Sequence, residues 1–191
     1  REVTCMFVYA TPYAVVGENA RPQQMMEQLN IYLEVATNAI HSAQGIIDKY
    51  MGNEIMVLFN TQLNPDANHA RCAVMAALDL RDAFVTLYED IGVVPDPHLY
   101  HIGIHTGVAT LGNVGSLNRR SFTAIGDSIN LSKRLEEYAT DGQIIVSEDT
   151  LQHILRNNPA QGEIRFEERP SLQVKGRTQQ TRIYEVFRAN G

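Results

Sequence analysis

The tripeptide Met51-Gly52-Asn53 separates two apolar runs, Ile46–Tyr50 and Glu54–Phe59, and a Gly-Asn step between such runs turns a chain back on itself as a β-hairpin. Helix signals stand on both sides of that hairpin. Pro22 sits where a first helical turn tolerates it, and Met25, Leu29, Tyr32, Leu33, Ala36 and Ile40 recur at helical spacing until Gly45 supplies a stop. Asn64-Pro65 reads as an N-cap with Pro at the first helical position. Ala70, Ala73, Val74, Ala77, Leu78, Phe84 and Leu87 follow it, and Pro95 to Pro97 end the pattern. The β-rich run Val3–Tyr9 precedes all this as a buried central strand, and Leu99–Thr106 follows it. Strand, helix, hairpin, helix, strand is the order of a ferredoxin-like βαββαβ core, an α/β (α+β sandwich) class.

Beyond the core, a further strand is expected over Val108–Val114, set off at Gly107, and a third helix from Asp127. Then come a strand (Gln143–Val146), a short helix opened by Ser147 with acids in its first turn, and three strands at Ile164–Phe166, Leu172–Val174 and Arg182–Phe187. This is a C-terminal αβαβββ extension of the core. The 191 residues, 44% of them hydrophobic, make one domain that buries roughly 70% of its unfolded surface without disulfides or a structural metal. No apolar run approaches the roughly 20 residues that span a bilayer, so no membrane contact is expected of this domain. A net charge of −6 argues against nucleic-acid binding, which needs a basic face. Cys5 and Cys72 lack ligand or redox spacing and read as reduced packing residues. With no signal-peptide pattern, the compartment expected is the cytoplasm. The chain opens at Arg1-Glu2-Val3-Thr4 without an initiator Met, and the expectation is a domain cut from a longer parent, whether or not that parent is membrane-attached.

Three stretches carry a family likeness: Ile47-Asp48-Lys49-Tyr50-Met51-Gly52-Asn53-Glu54-Ile55-Met56; Gly103-Ile104-His105-Thr106-Gly107 with Gly112-Asn113-Val114-Gly115; and Phe122-Thr123-Ala124-Ile125-Gly126-Asp127-Ser128-Ile129-Asn130-Leu131 running on to Arg134-Leu135-Glu136. In order and spacing, with Arg1-Glu2-Val3-Thr4 and Val174-Lys175-Gly176 matching in place, the chain resembles the class III nucleotide cyclases, the adenylyl and guanylyl cyclase catalytic domain. The resemblance implies a site shared between two such domains, with metal ligands from one and purine and transition-state residues from the other. By similarity Lys49 contacts the purine and Thr123 accepts a hydrogen bond from the adenine amino group, a pairing that favours ATP. Asn130 and Arg134, one helical turn apart, would position the ribose and neutralise charge on the phosphoryl group. Lys175 would reach the terminal phosphates, and Arg119 or Arg120 would add a phosphate contact. The plain alternatives are a solvated Lys49 and an Asn130/Arg134 pair bonded to Glu136 or Glu137. His105 is read as structural.

The likeness breaks at the metal. The family uses two divalent cations, Mg²⁺ or Mn²⁺, held by two aspartates, and those positions here hold Tyr9 and Asn53. A neutral phenol and an amide do not replace hard anionic ligands. Strand alternation sends Glu54 away from Asn53 and Asp48 away from the side Lys49 needs. Thr11-Pro12-Tyr13-Ala14 replaces the family's phosphate loop, and Pro12 removes a backbone donor. The expectation is a degenerate cyclase-like domain that binds no metal by itself. It would be a dimerising regulatory or ATP-binding module, homodimeric or paired with another cyclase domain. The alternatives are the complementary half of a heterodimeric adenylyl cyclase, and an interaction module without nucleotide.

Overall fold

A computed structural model describes residues 1–10, 19–61, 68–90, 100–140, 142–157 and 162–189. Strand β1 (Glu2–Ala10) is followed by α1 (Pro22–Ser42), the hairpin β2 (Ile46–Met51) and β3 (Glu54–Phe59), α2 (His69–Asp90) and β4 (Tyr100–Val108). These strands lie in the order β2-β3-β1-β4, the ferredoxin-like arrangement read from the sequence, with β1 antiparallel to both β3 and β4. The segments Asn64-Pro65, Pro95 to Pro97 and Thr11 to Ala14 lie outside the described residues.

The extension comprises β5 (Thr110–Ser116), β6 (Arg119–Ile125), α3 (Asp127–Tyr138), β7 (Ile144–Ser147), α4 (Glu148–Asn157), β8 (Ile164–Leu172) and β9 (Thr181–Arg188). β7 adds to β4 in parallel, and β9 and β8 complete a seven-stranded sheet. β5 and β6 form a separate hairpin. Ser147 opens α4 as expected: its Oγ accepts the Thr150 amide at 3.3 Å, with Glu148 and Asp149 in the first turn.

Alternation along β1 divides the core. Met6, Val8 and Ala10 pack under α1 and α2 with Ile40, Val74 and Phe84, whereas Val3, Cys5 and Phe7 face Met56, Leu58 and Ile129 on the other side. α3 presses closely on that second side. A Cβ on Gly103 would stand 2.1 Å from the Glu136 amide nitrogen, and the Ser132 hydroxyl donates to the Cys5 carbonyl at 2.7 Å. Cys5 and Cys72 are free thiols, and burial pushes Cys5 up to about 12, so it is a packing residue.

Two expectations are corrected. β4 does not break at Gly107. It runs on to Val108, with Gly107 paired to Val3, because the missing side chain makes room for the Ser128 hydroxyl rather than for a turn. The three late strands are two. Leu172 belongs to β8, which crosses Pro170 through a register shift between Arg169 and Leu172, and β8 is an edge strand, where a proline is tolerated. Val174 lies past its end, buried against Leu131 and Leu135 of α3. No described helix is long and apolar enough to cross a membrane.

Candidate functional site

The β2–β3 ladder pairs Ile47 with Val57 but Lys49 with Met56, so Asp48 is an extra, bulged residue. The bulge resets the alternation and brings Asp48 and Lys49 together, contrary to the expectation from strand periodicity. Lys49 Nζ lies 3.3 Å from the Asp48 carboxylate, whose side chain is only 3% exposed, while the lysine is 44% exposed. On β6, the Thr123 hydroxyl donates to the same carboxylate at 2.8 Å. Lys49 and Thr123 are thus joined by a residue that the sequence did not single out. With its proton committed to Asp48, the oxygen of buried Thr123 keeps its lone pairs for an acceptor role.

Asn130 and Arg134 are exposed on α3, which starts directly after Gly126 at the end of the β6 strand that carries Thr123. Glu136 and Glu137 are engaged by Lys133, at 2.6 and 3.9 Å, so Arg134 is not their partner among the described residues. Lys175 is exposed beside buried Val174 and two residues before Arg177, which pairs with Asp127 in the first turn of α3. Its loop is thereby pinned to α3. Arg119 stands apart: it pairs with Ser116 at the far end of the β5–β6 hairpin, four residues or about 13 Å along the strand from Thr123.

Tyr9 and Asn53 both lie at one end of the β1–β3 ladder. The Ala10 amide donates to the Asn53 carbonyl at 3.2 Å, and the Tyr32 hydroxyl donates to the same oxygen at 3.4 Å. Tyr9 pairs in register with Glu54 and stacks on His101 with ring centroids 4.7 Å apart. Glu54 does not point away. Asn53 belongs to the turn, so alternation counts from Glu54, which shares a face with Met56 and Leu58 on the α3 side. There its carboxylate meets Lys133 Nζ at 2.6 Å; the same ammonium lies 2.6 Å from Glu136, whose other oxygen lies 2.9 Å from His101 Nδ1.

These groups tune one another. The hydrogen bond to Glu136 raises the His101 imidazole against the opposing effect of burial. Burial would lift the Glu136 carboxyl, but hydrogen bonds from His101 and Lys133 outweigh it and hold the group below the usual range. Lys133 is raised, burial being overcome by its bonds to Glu136 and Glu54. Only the Lys133 and Glu136/Glu137 spacing of three and four residues was readable in advance. His105 is structural as read: its Nδ1 bonds Ser147 Oγ at 2.7 Å, and burial lowers it to about 4.

A seven-stranded sheet with a ferredoxin-like half, α1, α2 and α4 on one face and α3 on the other defines a mixed α/β domain of the kind that carries nucleotide cyclase sites. The chain belongs to the family of the adenylate and guanylate cyclase catalytic domain, whose family model matches residues 1–186. It is 31% identical to the adenylate cyclase of Anabaena cylindrica over 97% of its own length and 37% of that protein's. It is 27% identical to adenylate cyclase 1 of Rhizobium meliloti, over 97% of its length and 27% of that protein's. Among solved structures it resembles the guanylyl cyclase Cya2 (TM-score 0.83, 28% identity, 97% and 91% of the two chains). The adenylyl cyclase CyaB from P. aeruginosa is similarly close (TM-score 0.84, 26% identity, 97% and 93%).

Proposed function

We propose that this chain is a degenerate adenylyl-cyclase-like domain that dimerises, holds an adenine nucleotide through Lys49 and Thr123 without a metal pair, and acts as a regulatory module in a cytoplasmic signalling protein. The observation that carries the reading is the replacement chemistry at the metal positions. Mg²⁺ and Mn²⁺ need anionic oxygen ligands. Tyr9 offers a phenol stacked on His101, Asn53 an amide, and the one acid on Tyr9's side of the β1–β3 pair, Glu54, is already neutralised by Lys133. The residues at these positions do not fit a two-metal centre.

The purine side supports adenine. Asp48 fixes Thr123 as an acceptor, which suits an exocyclic amino group and opposes the carbonyl oxygen of guanine. The exposed apolar side chains Val108, Val114, Leu117, Phe122 and Ile125 gather on and beside the β5–β6 hairpin, a surface suited to a second cyclase domain. The intact purine and transition-state set, Lys49, Thr123, Asn130, Arg134 and Lys175, favours a second reading. Paired with a domain that brings both aspartates, the chain would complete one adenylyl cyclase site that converts ATP to cyclic AMP and pyrophosphate.

Calorimetric titration with ATP, with and without Mg²⁺, tests the first reading. Weak binding that is indifferent to the metal and abolished by Lys49→Ala is expected, with no cyclic AMP formed in Mg²⁺ or Mn²⁺. Turnover above the Lys49→Ala background would refute it. The second reading is tested by mixing the chain with a copy carrying Tyr9→Asp, Asn53→Asp and Lys49→Ala; cyclic AMP from the mixture alone supports it, and silence counts against it.

A further inference from the structure

Seven residues along β1 from Tyr9, about 23 Å away, and on the other face of the sheet, three elements bring two imidazoles and a carboxylate together. Glu2 of β1, His69 at the start of α2 and His153 of α4 each present one ligand atom, and the three atoms lie within 4.8 Å of one another. His153 Nε2 is 3.4 Å from the Glu2 carboxylate and His69 Nε2 is 3.8 Å from it. The rings face each other with centroids 4.2 Å apart, and both are buried, at 2% and 5% exposure. A tetrahedral ion with ligands at about 2.0–2.1 Å places them about 3.3 Å apart. The two spacings to Glu2 lie close to that, and Glu2, half exposed, has the freedom to shorten them; binding also draws together the two imidazole nitrogens, which lie within 4.8 Å of one another.

The surroundings of His69 suit it for ligation. His69 Nδ1 lies 2.7 Å from Thr4 Oγ1, and that hydroxyl lies 2.8 Å from Thr106 Oγ1. When the Thr4 proton goes to Thr106, the Thr4 oxygen accepts from His69 Nδ1–H, leaving the Nε2 lone pair directed at Glu2. On His153 the Asn157 Nδ2 donates towards Nδ1 at 3.5 Å, so the neutral ring carries its proton on Nε2, 3.4 Å from Glu2, and an ion bound there displaces that proton. A cavity of about 420 Å³ lined by Glu2, His105, Thr106, Asp149, Gln152 and Arg156 opens the Glu2 side of the trio to solvent and leaves room there for a water as fourth ligand. Arg156 opposes a cation there, and Asp149 offsets it.

We propose that Glu2, His69 and His153 bind one borderline divalent transition ion of the Zn²⁺ class, with water in the fourth position, and that the ion clips β1 to α2 and α4. Two neutral imidazoles and one carboxylate suit such an ion and not Mg²⁺. The site is independent of the nucleotide reading above, since it shares no residue with it.

The test uses the full untagged chain, stripped with a chelator and titrated with Zn²⁺ by calorimetry, with metal content measured after dialysis. One ion per chain, a higher melting temperature with Zn²⁺ and none of this with Mg²⁺ are expected. Affinity should fall at least tenfold in Glu2→Gln and in His153→Gln and stay unchanged in His41→Gln, a surface control. Co²⁺ in the unaltered chain should give the intense visible bands of a tetrahedral nitrogen and oxygen site. If His153→Gln fails to fold, Glu2→Gln, at a half-exposed side chain, and the Co²⁺ spectrum decide. Absence of a retained ion, or an ion held equally well by Glu2→Gln, would overturn the proposal and leave the trio a hydrogen-bonded core cluster.

Discussion

Replacing Lys133 by Met should expose how much of the fold rests on the charge circuit that Lys133 forms with Glu54, Glu136 and His101. The ammonium bridges Glu54 and Glu136 at 2.6 Å each, and the Glu136 side chain is only 2% exposed. Removing one partner of a buried pair typically costs about 3–5 kcal/mol, because the remaining charge is stranded without water. Two features lower that figure. Lys133 is 32% exposed, so solvent already screens it, and His101 at 2.9 Å still pairs with Glu136 in the variant. The expected loss is about 2 kcal/mol, or roughly 4–8 °C in melting temperature for a chain of this size. Urea unfolding at neutral pH measures it as a shifted midpoint with an unchanged slope. The double variant Lys133→Met, Glu136→Leu should recover a large part of the loss, since a well-packed apolar pair replaces a half-broken ionic one. A Lys133→Met variant within about 0.5 kcal/mol of the parent, or a double variant worse than the single, would refute the view that Glu136 is held ionised by Lys133.

Stability should peak near pH 6.5 because two histidines pull in opposite directions. His105, lowered from 6.5 to about 4, takes up its proton more readily unfolded, so stability falls as pH drops from 6.5 towards 4, by on the order of 3 kcal/mol; urea midpoints should show this limb flattened in His105→Asn. His101, raised above 6.5, contributes stability that is full below 6.5 and lost as pH rises through its folded value, a limb that His101→Gln should remove in the same titration. Gly103→Ala places a methyl group 2.1 Å from the Glu136 backbone nitrogen, and with backbone unable to yield cheaply the expected cost is about 3 kcal/mol or more, read by circular dichroism and thermal melting. Asp48→Asn should let the Thr123 hydroxyl reorient and bring the ATP and GTP affinities closer together; an unchanged preference in competition titration would count against Asp48 as the group that fixes the hydroxyl.

The ferredoxin-like half was legible because its signals are local and redundant: Gly52-Asn53 for the hairpin, Pro22 and a long periodic stripe for α1, β-branched and apolar residues for β1. Local sequence signals mislead where a tertiary contact decides a local feature. Gly107 looks like a break in any sequence, yet it makes room for Ser128 within a continuous strand. The bulge at Asp48 has no signature in Ile47-Asp48-Lys49, so strand alternation turned Asp48 away from the partner it bonds. Glu54 was misplaced for a related reason, alternation having been counted from a residue that belongs to the turn. The Glu2, His69 and His153 cluster spans 151 positions of chain between its outer members and could not be found by spacing at all.

The two halves of the candidate site differ in how they are built. Around Asp48 the polar groups leave charge exposed: Lys49 is exposed, buried Thr123 offers an acceptor, and Asn130, Arg134 and Lys175 are each exposed. Around Tyr9 the groups bond inward and close a circuit, from Glu54 through Lys133 and Glu136 to His101 and the Tyr9 ring. A polar network that satisfies itself has little left to offer a ligand, because taking any member away strands the next. Restoring Tyr9→Asp and Asn53→Asp would therefore add two carboxylates beside two that are already paired, and a divalent cation would compete with Lys133 for Glu54. In such a variant Lys133 becomes the residue to change next: Lys133→Met releases Glu54, and divalent-ion affinity should rise further than the two aspartates alone achieve.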